Sequence, residues 1–261
     1  MSKYGIDISF THEPLGFIYG DGVIGPPPET RSLDSVREAI QDRNASGPKD
    51  LYAIGMDVHM KEDRDILDKY NLLFGIVVYN KGQIGKEPIR SQGHKHTISV
   101  SCNLSTPEVY QIFEGEAYIY MQSFDEQDAG DCYAIHSKPG DIVVVPPNVV
   151  HMAVNADVDR NMAFGAWCVK DYGFDYNSVR KYNGVAFYPQ VNADKSIDWV
   201  LNPNYKSGKL HIVKARDYPE FEISPNVPVY KQFRDNPKLF HFVSNPQLAE
   251  TQWAKMKDQG Y

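Results

Sequence analysis

The sequence has few cysteines and no long apolar segment, and both absences narrow the class of protein. Its three cysteines, Cys102, Cys132 and Cys168, are an odd number at wide spacings, which fits neither a disulfide framework nor a structural zinc site. We expect all three to fill space in the fold. No window approaches the roughly 18 apolar residues of a membrane helix, and the N-terminus lacks the apolar stretch of a signal peptide. These absences predict a soluble, cytoplasmic protein without a membrane partner.

The chain also lacks a concentration of positive charge. It has 27 Lys and Arg residues against 34 Asp and Glu residues, and no Lys/Arg-rich run appears anywhere. Because nucleic-acid binding requires clustered cations to face the phosphates, we expect no nucleic-acid partner. A hydrophobic content of 42% is instead typical of an ordinary folded protein.

What the chain does contain is a series of short strand-like runs. Runs of β-branched and aromatic residues are separated by turn residues, without long helical segments between them. Examples are residues 73–79, 110–113, 117–121, 142–145 and 163–167. This pattern predicts an all-β middle part, built as an antiparallel sandwich or barrel.

A short amphipathic helix is predicted before this β region. Ser32 offers an N-cap, and Leu33, Val36 and Ile40 follow at helical spacing. Gly47-Pro48 stops the pattern.

The tail combines a possible strand at residues 210–213 with a predicted helix. Asn245-Pro246 can open that helix, which places Ala249, Trp253 and Met256 on one face. The tail is therefore expected to cover a sheet edge or a second subunit. We expect a single domain over residues 1–261, with a barrel core at about 50–200 and extensions at 1–49 and 201–261.

Three histidines indicate the chemistry. His94 and His96 are two residues apart, so both side chains of a strand can point at one place inside a barrel. His151 follows a buried run and a rigid Pro-Pro turn. Imidazole nitrogens are common ligands of first-row transition metals. The other histidines, His12, His59, His136, His211 and His241, are expected to be ordinary core or surface residues.

The segment around His151 resembles the second motif of the cupin superfamily, Gly-x5-Pro-x-Gly-x2-His-x3-Asn. Gly140, Pro146, His151 and Asn155 match it. Asn148 replaces the third-position glycine, and asparagine tolerates a left-handed backbone.

The segment around His94 resembles the other cupin motif, Gly-x5-His-x-His-x(3,4)-Glu-x6-Gly. Glu108 and Gly115 keep the x6 interval, while eleven residues separate His96 from Glu108. We interpret this gap as a longer loop between two strands, because no other Glu or Asp lies within it. The resemblance implies a cupin fold, which is a jelly-roll-like barrel (a double-stranded β-helix), here with peripheral helices at both ends. It also implies one divalent metal ion on His94, His96, Glu108 and His151.

Within the cupins, the chain resembles the cupin-type phosphoglucose isomerases over roughly residues 50–180. The matching stretches are Asn80-Lys81-Gly82-Gln83-Ile84-Gly85-Lys86-Glu87, Ser91-Gln92-Gly93-His94-Lys95-His96, Glu108-Val109-Tyr110, and Val144-Val145-Pro146-Pro147 with His151 and Asn155. The resemblance implies an aldose–ketose isomerase that uses one divalent ion (Mn, Fe, Zn, Ni or Co) as a Lewis acid. Glu108 is the candidate base for proton transfer between C1 and C2, with Tyr110 beside it as a second catalytic residue, and a direct hydride shift stays open.

The same resemblance implies a homodimer and a sugar substrate with an anionic C6 group. That group would be bound by Tyr52, Ser91, the Gly93 amide, Tyr110 and Tyr176. Each of these hydroxyl residues is equally explained as an ordinary barrel residue.

Departures from the family pattern bear on the substrate. Cys168 stands where the family has a tyrosine, Phe174 replaces a histidine, and a threonine position falls at Ile76 or Val77. The loss of a hydroxyl and an imidazole weakens a site for phosphate, which carries about −1.5 to −2 charges. Glucose 6-phosphate and the singly charged sulfonate sugar sulfoquinovose are therefore expected at near parity. The alternatives are a cupin dioxygenase and a non-catalytic sugar-binding cupin.

Overall fold

The computed structural model describes residues 2–259, and most of its regular structure is β-strand. The strands are β1 (Ile8–His12), β2 (Leu15–Tyr19), β3 (Val23–Ile24), β4 (Glu29–Ser32), β5 (Asp50–Gly55), β6 (His59–Met60), β7 (Leu72–Tyr79), β8 (Gln83–Ile84), β9 (Glu87–Pro88), β10 (Lys95–His96), β11 (Glu108–Glu114), β12 (Ala117–Gln122), β13 (Asp128–Ser137), β14 (Ile142–Val145), β15 (Val150–Asn155), β16 (Met162–Val169), β17 (Phe174–Asp175), β18 (Phe187–Val191), β19 (Ile197–Leu201) and β20 (Ser207–Lys214). The α-helices are α1 (Arg64–Tyr70), α2 (Asn177–Lys181), α3 (Val229–Asp235), α4 (His241–Ser244) and α5 (Glu250–Gln259). Segments of 3-10 helix cover Leu33–Ala39, Lys61–Asp63, Pro219–Phe221, Pro237–Phe240 and Pro246–Ala249.

Two sheets face each other and form the barrel. The larger sheet has the strand order β14-β11-β16-β7-β5-β4, with every neighbouring pair antiparallel. The smaller has the order β15-β12-β13-β20, in which β13 and β20 run parallel. Val77 and Val145 of the larger sheet share one buried cluster with Ile119 and Ala153 of the smaller. This arrangement confirms the predicted all-β cupin fold.

The C-terminal segment covers the outer face of the larger sheet. Trp167 of β16 packs on Tyr230 and Phe233 of α3, with ring centroids 5.4 and 4.6 Å apart. Because both faces of this sheet are covered, β7 and β16 are buried along their whole lengths. This double burial explains why their sequences are continuous apolar runs instead of alternating patterns.

The predicted elements of the tail are present. Residues 210–213 lie in β20, which extends the edge of the smaller sheet beside β13. The predicted helix begins as 3-10 helix at Pro246 and continues as α5, with Ala249 and Met256 buried and Trp253 packed against the same cluster. The two sheets include β4 and β20, so the barrel extends beyond the predicted core of residues 50–200. That the whole chain forms a single domain stays a prediction. No described helix is long and apolar enough to cross a membrane.

The predicted N-terminal amphipathic helix is a 3-10 helix that ends earlier than expected. Its buried residues, Leu33, Val36 and Ala39, repeat every three residues, which is the period of a 3-10 helix. Ile40 is already extended, so the helix ends well before Gly47-Pro48. Ser32 occupies the N-cap position but makes no side-chain capping hydrogen bond.

A buried ion pair joins this N-terminal segment to the chain just before the histidine motif. The side chain of Arg90 is fully buried and pairs with Glu87, with Nε 2.7 Å from Glu87 Oε2. It also donates to the Ala39 and Ser91 carbonyls, at 2.7 and 3.0 Å. Glu87 Oε1 in turn accepts from the Gln41 amide at 2.7 Å. All charges of this pair are therefore compensated inside the protein.

We expect Arg90→Ala to destabilise the fold strongly. The substitution leaves the Glu87 carboxylate buried without its cation, which costs about 3–5 kcal/mol of unfolding free energy. Urea unfolding measures this value. Arg160→Ala is the matched control, because the Arg160 side chain is 79% exposed and its loss should change stability by less than about 0.5 kcal/mol. Equal effects of the two substitutions would contradict the role given to the ion pair.

Candidate metal centre

The four residues predicted as metal ligands lie together. One ligand atom from each of His94, His96, Glu108 and His151 can be chosen so that all lie within 4.8 Å of one another. His94 and His96 stack with their ring centroids 5.4 Å apart, as expected for alternate residues of an extended segment. The His151 ring lies 4.4 Å from that of His94. Three imidazoles and one carboxylate therefore converge on a single point.

Backbone hydrogen bonds bring the two motif segments together. The His94 amide donates to the His151 carbonyl at 3.0 Å, and the His151 amide donates back to the His94 carbonyl at 2.9 Å. Asn148, in the turn before His151, has φ of 64°. The backbone at this position is therefore left-handed, a conformation that asparagine was expected to tolerate.

Two imidazoles are oriented by main-chain acceptors. His96 Nδ1 lies 2.8 Å from the Thr106 carbonyl, and His151 Nδ1 lies 3.1 Å from the Val149 carbonyl. These contacts fix the ring orientation and leave both Nε2 atoms facing the centre. Nε2 of His94 and Nε2 of His96 are buried without a hydrogen-bond partner among the described residues, and the latter lies 3.4 Å from Glu108 Oε2. Buried nitrogens without partners, next to a carboxylate, fit a first-row divalent metal ion.

Glu108 is held by donors on both of its oxygens. Tyr110 Oη donates to Oε2 at 2.8 Å, and His151 Nε2 lies 3.2 Å from the same oxygen. Burial raises the pKa of the Glu108 carboxyl, but the neighbouring imidazoles of His151 and His96 outweigh this effect and hold the pKa well below its usual range. The carboxylate is therefore in its ionised form at neutral pH.

Cys168 requires a correction. We expected it only to fill space, but its Sγ donates to Glu108 Oε1 at 3.1 Å. Burial, followed by the charge of Glu108, raises the pKa of the thiol well above its usual value, so Cys168 stays a neutral donor. The spacing of the cysteines along the chain carries no signal for this contact, because β11 and β16 pair only in the folded sheet.

The eleven residues between His96 and Glu108 form the expected longer loop. A bridge pairs Ile98 with Ser105, and the Ser99 amide donates to the Leu104 carbonyl at 2.9 Å. The carboxylate of Asp171 accepts from Ser99 Oγ at 2.8 Å and from the Ser101 amide at 3.1 Å. The loop is therefore held by hydrogen bonds within it and to Asp171, and Glu108 keeps the position that the motif predicts.

A cavity opens beside the metal centre. Tyr52, Ser91, Tyr110 and Tyr176, all predicted to bind substrate, contribute to its wall together with His94 and Glu108. Gly93, also predicted to bind substrate, is not among the described residues that line the cavity. Its φ of 86° gives the chain a left-handed backbone between Ser91 and His94. Phe174, noted in the sequence as replacing a histidine of the family, also lies in the wall, and sequence reasoning missed others, among them Arg31, Tyr79, Gln92 and Met152. Tyr79 was detectable only as a strand residue, and its ring stacks on Tyr52 at 4.8 Å.

The chain is similar to known isomerases. The family model "Glucose-6-phosphate isomerase (GPI)" matches residues 31–206. The glucose-6-phosphate isomerase of Pyrococcus furiosus is 29% identical over 136 residues, which cover 52% of this chain and 66% of that protein. That of Thermococcus litoralis is 29% identical over 109 residues, 42% of this chain and 52% of that protein. The chain thus spans less than two thirds of the length of these curated relatives.

A solved structure of an oxalate decarboxylase, OxdC of Bacillus subtilis, is also similar in part. It has a TM-score of 0.33 and 13% sequence identity, and the matched region covers 51% of this chain and 29% of that chain.

We expect the centre to bind one divalent ion with an affinity that falls as the pH falls. A metal ion requires neutral imidazoles, so protons compete with it. Burial, followed by the charges of His151 and His96, lowers the pKa of His94 well below its usual value. Proton competition at His94 should therefore begin only below the ordinary histidine pKa of about 6.5. Titration calorimetry of chelator-treated protein between about pH 5 and 8 measures this dependence.

Two histidine variants serve as a matched pair for this prediction. His94→Ala should lower the affinity at least about 100-fold. His136→Ala should leave it unchanged, because the His136 imidazole pairs with Glu116 outside the centre. Wild-type affinity in His94→Ala at neutral pH would show that the ion binds elsewhere.

Proposed function

Because this chain belongs to the glucose-6-phosphate isomerase (GPI) family, we propose that it is a metal-dependent aldose–ketose isomerase of an aldohexose with an anionic C6 group. The family match over residues 31–206 and the names of the relatives support an isomerase. The observation that carries the proposal is the convergence of three imidazoles and Glu108 at the wall of one cavity. The homodimer and the identity of the metal stay predictions, since the same ligands accept several divalent ions.

The residues of the centre suit proton transfer between neighbouring carbons. A divalent ion held by His94, His96, Glu108 and His151 would supply Lewis acidity toward the carbonyl and hydroxyl oxygens of the sugar. Glu108 is ionised and stands at the cavity wall, so its carboxylate is available to accept the C2 proton and return it to C1. Tyr110, which donates to Glu108 Oε2, and Cys168, which donates to Oε1, fix the orientation of the carboxylate.

The rest of the cavity suits a sugar with one polar end. Hydroxyl groups of Tyr52, Ser91 and Tyr176 lie in a wall that also contains apolar side chains such as Val77. Hydroxyls and backbone amides are suitable donors for the oxygens of a phosphate or a sulfonate. We therefore propose glucose 6-phosphate or sulfoquinovose as the substrate.

One observation favours sulfoquinovose, the sulfonate sugar, over glucose 6-phosphate. Val77, which with Ile76 is one of the two positions at which a threonine of the resembled family falls, is part of the cavity wall. An apolar group there removes a donor, and a single negative charge needs fewer donors than a phosphate. The names of the relatives favour the phosphate.

Isomerase activity is tested by an anaerobic NMR time course. We expect the Mn²⁺-loaded protein to convert glucose 6-phosphate, sulfoquinovose or both to the ketose without oxygen. The two sugars are followed side by side, with metal-free protein as the control. Conversion of neither sugar would reject the isomerase, and oxygen consumption with a thiol or phenol substrate would favour the dioxygenase alternative.

Glu108→Gln tests the assignment of the base. Loss of the carboxylate should lower kcat by about 10²–10⁴-fold, the usual contribution of a general base. In D2O the wild type should place deuterium on C1 of the ketose, because a proton held by Glu108 exchanges with solvent. The rates are compared at equal metal content, since Glu108 also belongs to the metal centre.

Glu116→Gln is the matched control for this substitution. Glu116 pairs with His136 and Lys138 away from the centre, so its loss should leave kcat unchanged. Proton transfer through Glu108 would be contradicted if the metal-loaded Glu108→Gln enzyme kept the wild-type kcat, or if the ketose formed in D2O carried no deuterium. The hydride shift would then be the remaining mechanism.

A further inference from the structure

Arg31 is the one guanidinium or ammonium group in the described wall of the cavity. It lies on β4, the last strand of the larger sheet, and pairs directly with Tyr52 of β5. Directly paired residues on antiparallel strands point to the same face, so Arg31 and Tyr52 share the face that lines the cavity. None of the family motifs in this chain includes Arg31, because it lies in the N-terminal extension.

The guanidinium is close to two of the hydroxyls expected to bind the substrate. Burial raises the pKa of the Tyr52 and Tyr176 hydroxyls, and the positive charge of Arg31 opposes this rise at both residues. The Tyr176 ring also lies 5.7 Å from the His94 ring. A continuous wall therefore leads from the metal centre through Tyr176 to Arg31.

Arg31 keeps donors for a ligand. Its Nη1 binds Glu29 Oε1, and the two side chains are 36% and 64% exposed. An exposed ion pair of this kind contributes little to stability, since water screens it. A guanidinium has five N–H donors in a planar fork, so the contact with Glu29 leaves others for an oxyanion.

We propose that Arg31 binds the C6 oxyanion of the substrate and makes the cavity selective for charged over neutral aldohexoses. The inference rests on the isomerase function proposed above and adds to it a residue supplied by β4. A guanidinium binds two oxygens of a phosphate or sulfonate at once, which a tyrosine or serine hydroxyl cannot do. It thereby supplies positive charge that the hydroxyls of the cavity lack. The placement of β4 beside β5 thus gives the N-terminal extension a part in substrate binding.

Arg31→Gln tests this role in the metal-loaded enzyme. It should raise KM for the C6-charged substrate, and the Kd of sorbitol 6-phosphate, by about 10–100-fold, as expected for the loss of a charge-assisted hydrogen bond. The Kd of uncharged sorbitol and the value of kcat should change little, because Glu108 and not Arg31 is proposed to carry the transferred proton. Binding of sorbitol 6-phosphate should also become less sensitive to salt. Measurements with glucose 6-phosphate and with sulfoquinovose show which oxyanion depends on Arg31.

Two further variants make the test specific. Arg31→Lys keeps the charge without the planar fork, so its KM should lie between those of the wild type and Arg31→Gln. Arg160→Gln changes the same charge at an exposed site and should leave KM unchanged. Circular dichroism and metal content establish that each variant is folded and loaded.

The outcomes separate the two proposals. If the wild type converts neither sugar, the isomerase function fails. If it converts one and a folded, loaded Arg31→Gln enzyme keeps KM and the Kd of sorbitol 6-phosphate within about twofold, the role of Arg31 fails while the isomerase stands. Equal losses for sorbitol and sorbitol 6-phosphate would also overturn it, because they would indicate a general change of the cavity.

Discussion

The candidate site depends on two reciprocal backbone hydrogen bonds between His94 and His151. These bonds join segments that are more than fifty residues apart, and they set the imidazoles of both segments at one place. Side-chain rotamers alone cannot achieve this, because an imidazole reaches only a few ångströms from its Cα. Hydrogen bonds from main-chain carbonyls to Nδ1 of His96 and His151 then direct Nε2 of each ring inward.

Burial gives the centre its chemical character. An ionised carboxylate in a low-dielectric interior is costly unless donors surround it. Glu108 has such donors on both oxygens, from Tyr110 on Oε2 and from Cys168 on Oε1. The sheet behind it is covered on its outer face by the C-terminal segment, so β16, which presents Cys168, is packed on both sides. Rigid packing of this kind holds a site within the narrow geometry that metal binding requires.

The segments outside the two histidine motifs also contribute to the cavity. β4 of the N-terminal extension completes the larger sheet and supplies Arg31 to the wall. The buried pair of Arg90 and Glu87 ties residues 39–41 to the chain that leads into Ser91 and the histidines. The N-terminal extension therefore forms part of the cavity wall, and its contacts with Arg90 and Glu87 help to hold the chain that leads into the histidines.

Local patterns in the sequence determined several of the longer strands, the alternation of His94 and His96 and the left-handed backbone at Asn148, while the resemblance to the cupin motifs supplied the set of four ligands. The strands, the alternation and the turn follow from the period of a strand or the backbone preference of one residue, which are local properties of the chain. Only the tertiary structure decided that Cys168 contacts Glu108, that Arg31 enters the cavity wall, and that the first helix is a 3-10 helix ending at Ala39. Those features arise from the pairing of strands distant in sequence and from the burial that pairing creates, and no local pattern encodes which strands become neighbours.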